Sequence, residues 1–389
     1  VKSSESADEV AADGAAAVQA AMAPPGQVAT LILPADTAWN RTTETAEPLP
    51  AIEPKAFSAD NIDDVAKALK TGEPSVILIN GVITAKIANM ADRIAQATGA
   101  RAMTDTFVPR MERGAGIAQL ARLPYFGEQA AEVLAGTKHL ILLSSQPPVT
   151  FFAYPDKPNY LTPEGCELHT LAERDEDVEG ALEALVDAVG AGSTEARLQP
   201  HQIPDLPSGA LNPSSVGKTL ANYFPENAII VDEGGTSGGG CIGATRTAAP
   251  HDHLVITGGA IGFGMPSATG AAIACPDRPV ISLQADGSGM YTNQALWTQA
   301  REQLNVTTII MANQKYAILQ VEFGRVGAHN PGPKAMSMLD LTNPELRWTD
   351  IAKGMGVPAW RVHTVEELIK ALQQAQATEG PALIEAMVP

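Results

Sequence analysis

Short apolar runs alternate with segments of helical spacing along most of the chain. The clearest runs are Ser75 to Asn80, Leu140 to Leu143, Ala228 to Val231, Val280 to Leu283 and Val306 to Met311. Short, continuous apolar runs are typical of strands that are buried on both faces of a parallel sheet, and the helical segments between them are typical of crossover connections. The pattern predicts an α/β protein built on parallel sheets.

Two polar, proline-rich segments divide this pattern into parts. Residues 41–55 and residues 191–212 have no apolar period and are interpreted as linkers. They separate two Rossmann-like, doubly wound parallel-sheet domains, a central one at residues 56–190 and a C-terminal one at residues 213–389.

Residues 1–40 contain the patterns of only one helix and one strand. Ser6 to Glu9 has the form of a capping box, an alanine-rich helix runs from there to about Met22, and Ala29 to Leu33 has the pattern of a buried strand. A lone helix and strand cannot bury their apolar faces, so we interpret these residues as the C-terminal remnant of a third domain.

Charge and cysteine content narrow the classes of partner. The chain has 389 residues, with 44 acidic against 26 basic side chains and a formal charge of -18. Nucleic acid and anionic membrane surfaces are therefore not expected as partners. No apolar run is long enough to span a bilayer. The cysteines, Cys166, Cys241 and Cys275, are far apart and are predicted to be free thiols, which favours a reducing, cytoplasmic setting.

Polar side chains follow two of the predicted strands at the point where each strand ends. Asp286 follows the run that begins at Val280, and Asn313 follows the run that begins at Val306. Because a right-handed crossover brings both carboxyl ends to one edge of the sheet, we expect the two side chains to converge. Carboxylate and carboxamide oxygens suit a hard cation such as Mg²⁺. The alternative is a plain strand-helix-strand unit whose Asp caps a helix.

Two glycine-rich stretches follow other strands. Residues 234–240, GGTSGGG, have the composition of a loop whose backbone amides approach phosphate oxygens, with hydroxyls from Thr236 and Ser237. Residues 258–264, GGAIGFG, follow a short strand predicted at Leu254 to Thr257. The alternatives are a flexible turn for the first stretch and close packing of a helix on the sheet for the second.

Together these motifs resemble those of thiamine-diphosphate (ThDP) enzymes. The family pattern is Gly-Asp-Gly, a spacer of about 25 residues and Asn-Asn; here Asp286-Gly287-Ser288 is followed 27 positions later by Asn313, and Ala285 and Ala312 replace the first Gly and the first Asn. The resemblance implies that Mg²⁺ is bound by the side chains of Asp286 and Asn313 and by the Lys315 carbonyl. It also implies a diphosphate bound by Gly287, Ser288, Gly235, Thr236 and Ser237.

The resemblance assigns further cofactor contacts. Gly259, Ala260 and Ile261 match the run in which a large aliphatic side chain, here Ile261, is wedged between the two rings of the cofactor, while the Gly259 carbonyl accepts a hydrogen bond from its 4′-amino group. Ile261 and Gly259 are therefore assigned to catalysis as well as to binding, because the bent shape of the cofactor brings two of its reacting groups together. Tyr316, Ala317 and Ile318 are added as cofactor contacts.

The activity implied is ThDP- and Mg²⁺-dependent decarboxylation and carboligation of a small 2-oxo acid, as in acetolactate synthases. A benzoylformate-type decarboxylase and, in another class, a non-catalytic nucleotide-binding scaffold remain alternatives. The resemblance also implies a homodimer or homotetramer. Some family members hold FAD in the central domain, but no Gly-x-Gly-x-x-Gly follows a strand there, and Gly114 to Gly116 is too isolated to count.

One catalytic group of the family has no counterpart in the predicted site. Activation requires a Glu of the pyrimidine-binding domain, of which residues 1–40 resemble only the end. Glu5 and Glu9 belong to the surface of a terminal helix, so the activating Glu is not expected in this chain, and the chain by itself is predicted to be inactive.

Other candidates receive structural interpretations. His251 and His253 flank Asp252 in a predicted exposed turn, and Trp297 is predicted to be a core residue. Gly324 to Lys334, which contains His329, resembles a mobile segment on the substrate side of the cofactor. Cys241 and Cys275 are predicted to be structural thiols.

Overall fold

The computed structural model describes all residues from Val1 to Pro389. The strands are β1 Lys2–Ser3, β2 Leu31–Ile32, β3 Ser75–Ile79, β4 Val82–Ile83, β5 Arg101–Thr104, β6 Arg110–Arg113, β7 Ala121–Arg122, β8 His139–Leu143, β9 Glu167–Ala172, β10 Ile229–Glu233, β11 His251–Val255, β12 Val280–Ala285, β13 Val306–Ala312, β14 Ala359–Val362 and β15 Ala382–Met387. The helices are α1 Val10–Met22, α2 Ala35–Trp39, α3 Ala59–Lys70, α4 Ala85–Thr98, α5 Gly127–Leu134, α6 Val178–Ala188, α7 Pro213–Tyr223, α8 Gly235–Ala244, α9 Gly264–Ala274, α10 Asp286–Gly289, α11 Ala295–Arg301, α12 Ala317–Arg325, α13 Pro333–Ser337, α14 Trp348–Gly354 and α15 Val365–Gln376.

The central sheet has five parallel strands in the order β7-β5-β3-β8-β9. Successive side chains of a strand point to opposite faces. Ile77 and Ile79 of β3 therefore pack into the larger apolar cluster with α3, α4 and α6, whereas Val76 and Leu78 pack into a second cluster with α5. The continuous apolar runs of the sequence thus reflect burial on both faces.

The C-terminal sheet has eight strands in the order β14-β15-β13-β12-β10-β11-β6-β4. From β14 to β11 every pairing is parallel. Helices α7 and α15 cover one face, and α9, α11 and α14 cover the other, with Trp348 fully buried between α14 and the sheet. The predicted α/β class with two doubly wound parallel sheets is confirmed.

The larger sheet includes strands from the region predicted as the central domain. β6 pairs antiparallel with β11, with Arg113 opposite His251 and Arg110 opposite Leu254, and β4 adds to β6. Sequence patterns did not predict this extension, because β6 reads Arg-Met-Glu-Arg and has no apolar run.

The N-terminal segment differs in detail from the prediction. β1 pairs in parallel with β2, α1 begins at Val10, and the Glu9 N–H is donated to the Ser6 carbonyl and not to its hydroxyl. The predicted capping box at Ser6 to Glu9 is therefore wrong. The strand expected at Ala29 to Leu33 is only Leu31–Ile32, and it is not buried, since Ile32 is 50% exposed.

None of the helices is long and apolar enough to cross a membrane. The three cysteines are free thiols, as predicted; Cys241 is buried and Cys275 is half-buried.

Candidate cofactor site at the carboxyl ends of the C-terminal strands

Strands β12 and β13 end side by side and bring the two loops with Asp286 and Asn313 together. Their parallel ladder runs to the pair Ala285 and Met311, directly before the two loops. One carboxylate oxygen of Asp286, Oδ2, accepts the Gln314 N–H at 2.6 Å, and the other, Oδ1, accepts the Gly287 N–H at 2.8 Å. The two strand-end loops thus lie at one edge of the sheet, as the predicted crossover requires.

The Asp286 carboxylate is buried without a cationic partner. It is 3% exposed, and its hydrogen bonds come from backbone amides. Burial raises the pKa of Asp286, although the amides of Gln314 and Gly287 oppose the shift. A buried, unpaired carboxylate is costly, and a bound cation offsets that cost. The residues present therefore fit a divalent metal ion.

The loop after β13 supplies two further oxygens. Asn313 Oδ1 accepts the Lys315 N–H at 3.2 Å, and the Lys315 carbonyl accepts no hydrogen bond from the chain. Between them Gln314 has φ 57°, a left-handed conformation that turns the backbone sharply. A carboxylate, a carboxamide and a backbone carbonyl form an all-oxygen donor set that suits Mg²⁺.

Tyr316 and Ser288 hold this corner of the sheet in place. The Tyr316 ring lies against Gly287 so closely that a Cβ on Gly287 would overlap it. The Tyr316 N–H also bonds the Leu339 carbonyl at 2.9 Å. On the other loop, the Ser288 hydroxyl accepts a hydrogen bond from Gln284 Nε2 at 2.8 Å. Ala317 and Ile318 open α12 directly after Tyr316, with Ile318 exposed.

The glycine-rich stretch after β10 is a helix, not the predicted loop. α8 begins at Gly235, directly after the strand, so the amides of Gly235, Thr236 and Ser237 lie in its first turn and have no acceptor within the helix. Such amides are suited to bind phosphate. The later glycine Gly240 has another role, since a Cβ there would overlap the backbone of Pro213 in α7. The flexible turn considered as the alternative for this stretch is therefore not observed.

Glu233 positions the second glycine-rich stretch, a role that sequence reasoning missed. Its two carboxylate oxygens accept the N–H groups of Gly262 and Gly264, each at 2.5 Å, and the side chain is 4% exposed. The signal for this role was an acidic residue at the end of an apolar strand, followed by a run rich in glycines.

The run that contains Ile261 projects an apolar side chain from the protein. Ile261 is 51% exposed, and Gly258 and Gly259 have φ of 65° and 66°. The Gly259 carbonyl accepts the Ile261 N–H at 3.1 Å, which leaves one lone pair for a second donor. Ala260 lies in the same turn. This arrangement offers a half-exposed aliphatic side chain and a carbonyl to one ligand.

A cavity of about 450 Å³ adjoins this run. It is lined by Asn80 and Ser144, which follow central strands β3 and β8, and by Arg174 and Gly258. The carboxyl ends of the central strands and the Gly258 turn therefore share one open space.

His251 and His253 do not lie in an exposed turn. Both belong to β11 and are about 4% exposed or less, as is Asp252 between them. Asp252 is paired with Arg110 and Arg278, each at 2.7 Å, and burial lowers the pKa of His251 to about 3. The strand predicted at Leu254 to Thr257 thus begins three residues earlier, at His251. Its polar residues can be buried because charged side chains from distant segments pair with Asp252.

His253 contacts the end of the neighbouring strand. Its Nε2 lies 3.3 Å from Asp232 Oδ2, and the other oxygen of Asp232 accepts the Gly234 N–H at 2.9 Å. Burial lowers the pKa of His253, and the Asp232 carboxylate opposes that shift. The pair supports the turn that leads into α8.

Two further expectations were wrong. Trp297 is 54% exposed and is not a core residue. The segment Gly324 to Lys334 is not one loop, because Gly324 and Arg325 end α12 and Lys334 belongs to α13.

Arg325 fixes the end of α12 to the central region. Its terminal nitrogens donate to both carboxylate oxygens of Glu128 at 2.6 and 3.1 Å, and its guanidinium lies 4.2 Å from the ring centre of Phe126. Tyr154 donates to Glu322 of the same helix at 2.6 Å. Helix α12, which follows the predicted metal ligands, is thus fixed by its side chains to residues of the central region.

The sequence of this chain matches that of known proteins. Residues 238–386 match the family described as "Thiamine pyrophosphate enzyme, C-terminal TPP binding domain". A Mycobacterium tuberculosis protein, IlvX, provisionally named an acetolactate synthase large subunit, is 48% identical over 391 aligned positions, which cover 100% of this chain and 75% of that protein. Benzoylformate decarboxylase of Pseudomonas aeruginosa is 34% identical over 215 residues, or 54% of this chain and 39% of that enzyme.

Solved structures show the same fold. The ThDP-dependent 4-hydroxybenzoylformate decarboxylase of Rhodococcus jostii RHA1 superposes with a TM-score of 0.77 at 22% identity, over 100% of this chain and 76% of that one. Benzoylformate decarboxylase from Polynucleobacter necessarius gives a TM-score of 0.76 at 19% identity, over 99% and 75% of the two chains. The fold, the metal-type corner at Asp286 and a relative at 48% identity lead to one conclusion: the chain belongs to the thiamine-diphosphate-dependent enzyme family, related to acetolactate synthases and benzoylformate decarboxylases.

Proposed function

We propose that this chain binds thiamine diphosphate and Mg²⁺ for the decarboxylation and carboligation of a small 2-oxo acid, in the manner of acetolactate synthases. One observation carries the proposal: the buried, unpaired Asp286 carboxylate lies at the corner where β12 and β13 end, beside the loop of Asn313 and Lys315. Such a set of oxygen atoms suits Mg²⁺.

Each predicted contact has a role in this proposal. Asp286, Asn313 and the Lys315 carbonyl would hold Mg²⁺. The first-turn amides of α8, with Gly287 and Ser288, would hold the diphosphate. Because the Gly287 N–H is donated to Asp286 in this structure, its contact to phosphate requires the carboxylate to turn toward the metal.

The remaining residues orient the reactive part of the cofactor. The chemistry that thiamine diphosphate supplies when bound is attack on the carbonyl of a 2-oxo acid and stabilisation of the charge left by loss of CO₂. Glu233 fixes the backbone at Gly262 and Gly264, and this holds the half-exposed Ile261 side chain in a defined place. A fixed wedge is what a bent cofactor requires.

The substrate is proposed by analogy with relatives. The 48% identical relative bears an acetolactate synthase name, which favours pyruvate and a second 2-oxo acid as acceptor. A benzoylformate-type decarboxylase is the second candidate, favoured by the 34% identical relative. The two differ in product, since a synthase forms a new carbon-carbon bond and a decarboxylase releases an aldehyde.

Cofactor binding and turnover are best measured separately. The family places the activating Glu in the pyrimidine-binding domain, normally across a subunit interface, and Glu5 and Glu9 are exposed here. Binding tests the site described above, whereas turnover also needs that acid. We propose a homodimer or homotetramer as the working assembly, measured by light scattering.

The decisive experiment is calorimetric titration with ThDP in the presence of Mg²⁺, and again after chelation. Saturable binding that is lost on chelation supports the proposal. Binding of NAD instead, or of neither ligand, would support a non-catalytic nucleotide-binding scaffold. Product analysis with pyruvate and with benzoylformate then separates synthase from decarboxylase.

A further inference from the structure

Three potential metal ligands lie together at the end of the central sheet that is opposite to the cavity at Ser144. His139 begins β8, and Glu167 and His169 lie in the first half of the neighbouring strand β9. In the parallel register His139 is opposite Glu167, and His169 is two residues further along β9, so all three point to one face. The cavity at Ser144 lies at the other end of β8, about 16 Å away for a strand of this length.

The ligand atoms form a compact triangle. His139 Nδ1 lies 3.0 Å from His169 Nε2, and Glu167 Oε2 lies 3.6 Å from the first nitrogen and 3.8 Å from the second. A point at about 2.0 Å from all three atoms exists within this triangle, which is the length of Zn–N and Zn–O bonds. The three atoms are therefore close enough together to share one metal ion.

A fourth residue orients one of the histidines. Glu73 Oε2 lies 3.1 Å from Nε2 of His139, on the far side of the ring from the triangle. If Nε2–H is donated to Glu73, the lone pair of Nδ1 points toward His169 and Glu167. A carboxylate that fixes the tautomer of a ligating histidine is a regular feature of zinc sites. A hydrogen bond between the two rings also accounts for the 3.0 Å contact and for Glu73, but it gives no role to the Glu167 carboxylate.

The exposure of the three side chains suits a site that is open on one side. The side chains of His139 and His169 are 8% and 17% exposed, and that of Glu167 is 71% exposed. The nitrogen ligands are therefore held by packing in the sheet, while water can complete the coordination from the Glu167 side.

We propose that His139, Glu167 and His169 bind one transition-metal ion, Zn²⁺ by their ligand chemistry, at a site separate from the Mg²⁺ corner at Asp286. Two imidazoles and one carboxylate favour Zn²⁺ over Mg²⁺, which prefers oxygen ligands alone. The ion would join the beginnings of β8 and β9, and it has no part in the proposed 2-oxo acid chemistry.

The test is Zn²⁺ binding to the protein already loaded with ThDP and Mg²⁺, measured by competition with a chromophoric chelator. We expect one equivalent to bind tightly to the wild type. His169→Gln should weaken that binding more than 100-fold, and Glu73→Gln by about 10- to 100-fold. His201→Gln, at an exposed histidine elsewhere, is the matched control and should bind like the wild type.

A spectroscopic readout and a milder variant complete the design. Co²⁺ in the site should give the absorption bands of a four-coordinate ion in the wild type, and these should be lost in His169→Gln. Glu167→Gln changes an exposed side chain, so it keeps the fold and should still weaken binding. Equal Zn²⁺ affinity of the wild type, His169→Gln and Glu167→Gln would overturn the proposal, and so would the absence of a tight equivalent in the wild type.

Discussion

The ring of Tyr316 lies directly on Gly287, so the two strand-end loops of the predicted metal corner touch at a position where no side chain fits. Tyr316 follows β13 and Gly287 follows β12, and the contact sets the distance between the two loops. A single methyl group at residue 287 therefore tests whether the corner binds the cofactor.

We expect Gly287→Ala to displace Tyr316 and to weaken ThDP–Mg²⁺ binding by roughly tenfold or more, which corresponds to about 1.4 kcal/mol. Gly270→Ala is the matched control, because Gly270 lies within α9 and has open space around the position of a Cβ. That variant should keep the wild-type affinity and gain up to about 1 kcal/mol of stability. Calorimetric titration of both variants checks this, and equal affinities would contradict the role assigned to Gly287.

Asp286→Asn should abolish the stabilisation of the protein by Mg²⁺. In the wild type, Mg²⁺ at 100 times its dissociation constant adds about 2.7 kcal/mol to the free energy of unfolding. Because burial raises the pKa of Asp286, protons compete with the metal ion at a higher pH than for an ordinary Asp. Mg²⁺ affinity should therefore fall as the pH is lowered through the raised pKa.

Thermal unfolding with and without Mg²⁺, repeated at several pH values, measures both effects. A raised pKa means that the folded protein binds a proton at Asp286 more tightly than the unfolded chain does. This contribution to the free energy of unfolding is therefore lost as the pH rises through the raised pKa. Asp277→Asn provides the control at an acidic residue outside the corner. If Asp286→Asn kept the full Mg²⁺-dependent rise of the melting temperature, Asp286 would not be a metal ligand.

Glu233→Gln should loosen the run at residues 258–264. In Gln, an NH₂ group replaces one of the two acceptor oxygens. That group cannot accept the N–H of Gly262 or Gly264. A buried N–H left without a partner costs about 1–3 kcal/mol. We expect lower stability by that amount and weaker ThDP binding, whereas Glu226→Gln, at an exposed position, should change neither. Urea denaturation and cofactor titration are the measurements.

His251 should make the protein sensitive to acid. Its pKa is lowered to about 3 by burial, while an unfolded His titrates near 6.5. A depressed pKa gives stability that is present above about pH 6.5 and is lost as the pH falls toward 3, by up to about 1.4 kcal/mol per pH unit.

His251→Asn keeps a donor for the Ala249 carbonyl, which His251 Nδ1 bonds at 2.8 Å, and it removes the titrating group. The variant should therefore show a shallower loss of unfolding free energy between pH 6.5 and 4. His329→Asn, at an exposed histidine, should follow the wild-type curve. Parallel slopes for all three proteins would assign the acid sensitivity to other groups.

Apolar strands were predictable from the sequence because they are buried on both faces. The run at Val306 to Met311 became β13, and its neighbour became β12, so the approach of the two loops that carry Asp286 and Asn313 followed from the crossover rule. In contrast, β11 reads His-Asp-His-Leu-Val, and its burial depends on Arg110 and Arg278, which are remote in the sequence. A local pattern carries no information about such partners.

The glycine-rich helix α8 shows a second limit. Its composition predicts a loop, since glycine disfavours helix by about 1 kcal/mol per residue. The helix forms because Gly217 and Gly240 let α7 and α8 pack backbone against backbone. Glu233 was missed for a related reason, because its acceptor role depends on amides about 30 residues away.

The pairing of β6 with β11 also limits how the molecule moves. Residues 191–212 would serve as a hinge if the two sheets were joined only by that segment, but rotation about it would break the ladder from Arg110 to Arg113. The two sheets can therefore move relative to each other only if the segments that join β6 to the central sheet bend as well. For the same reason, a single proteolytic cut within residues 191–212 should leave two fragments that stay associated and migrate as one particle.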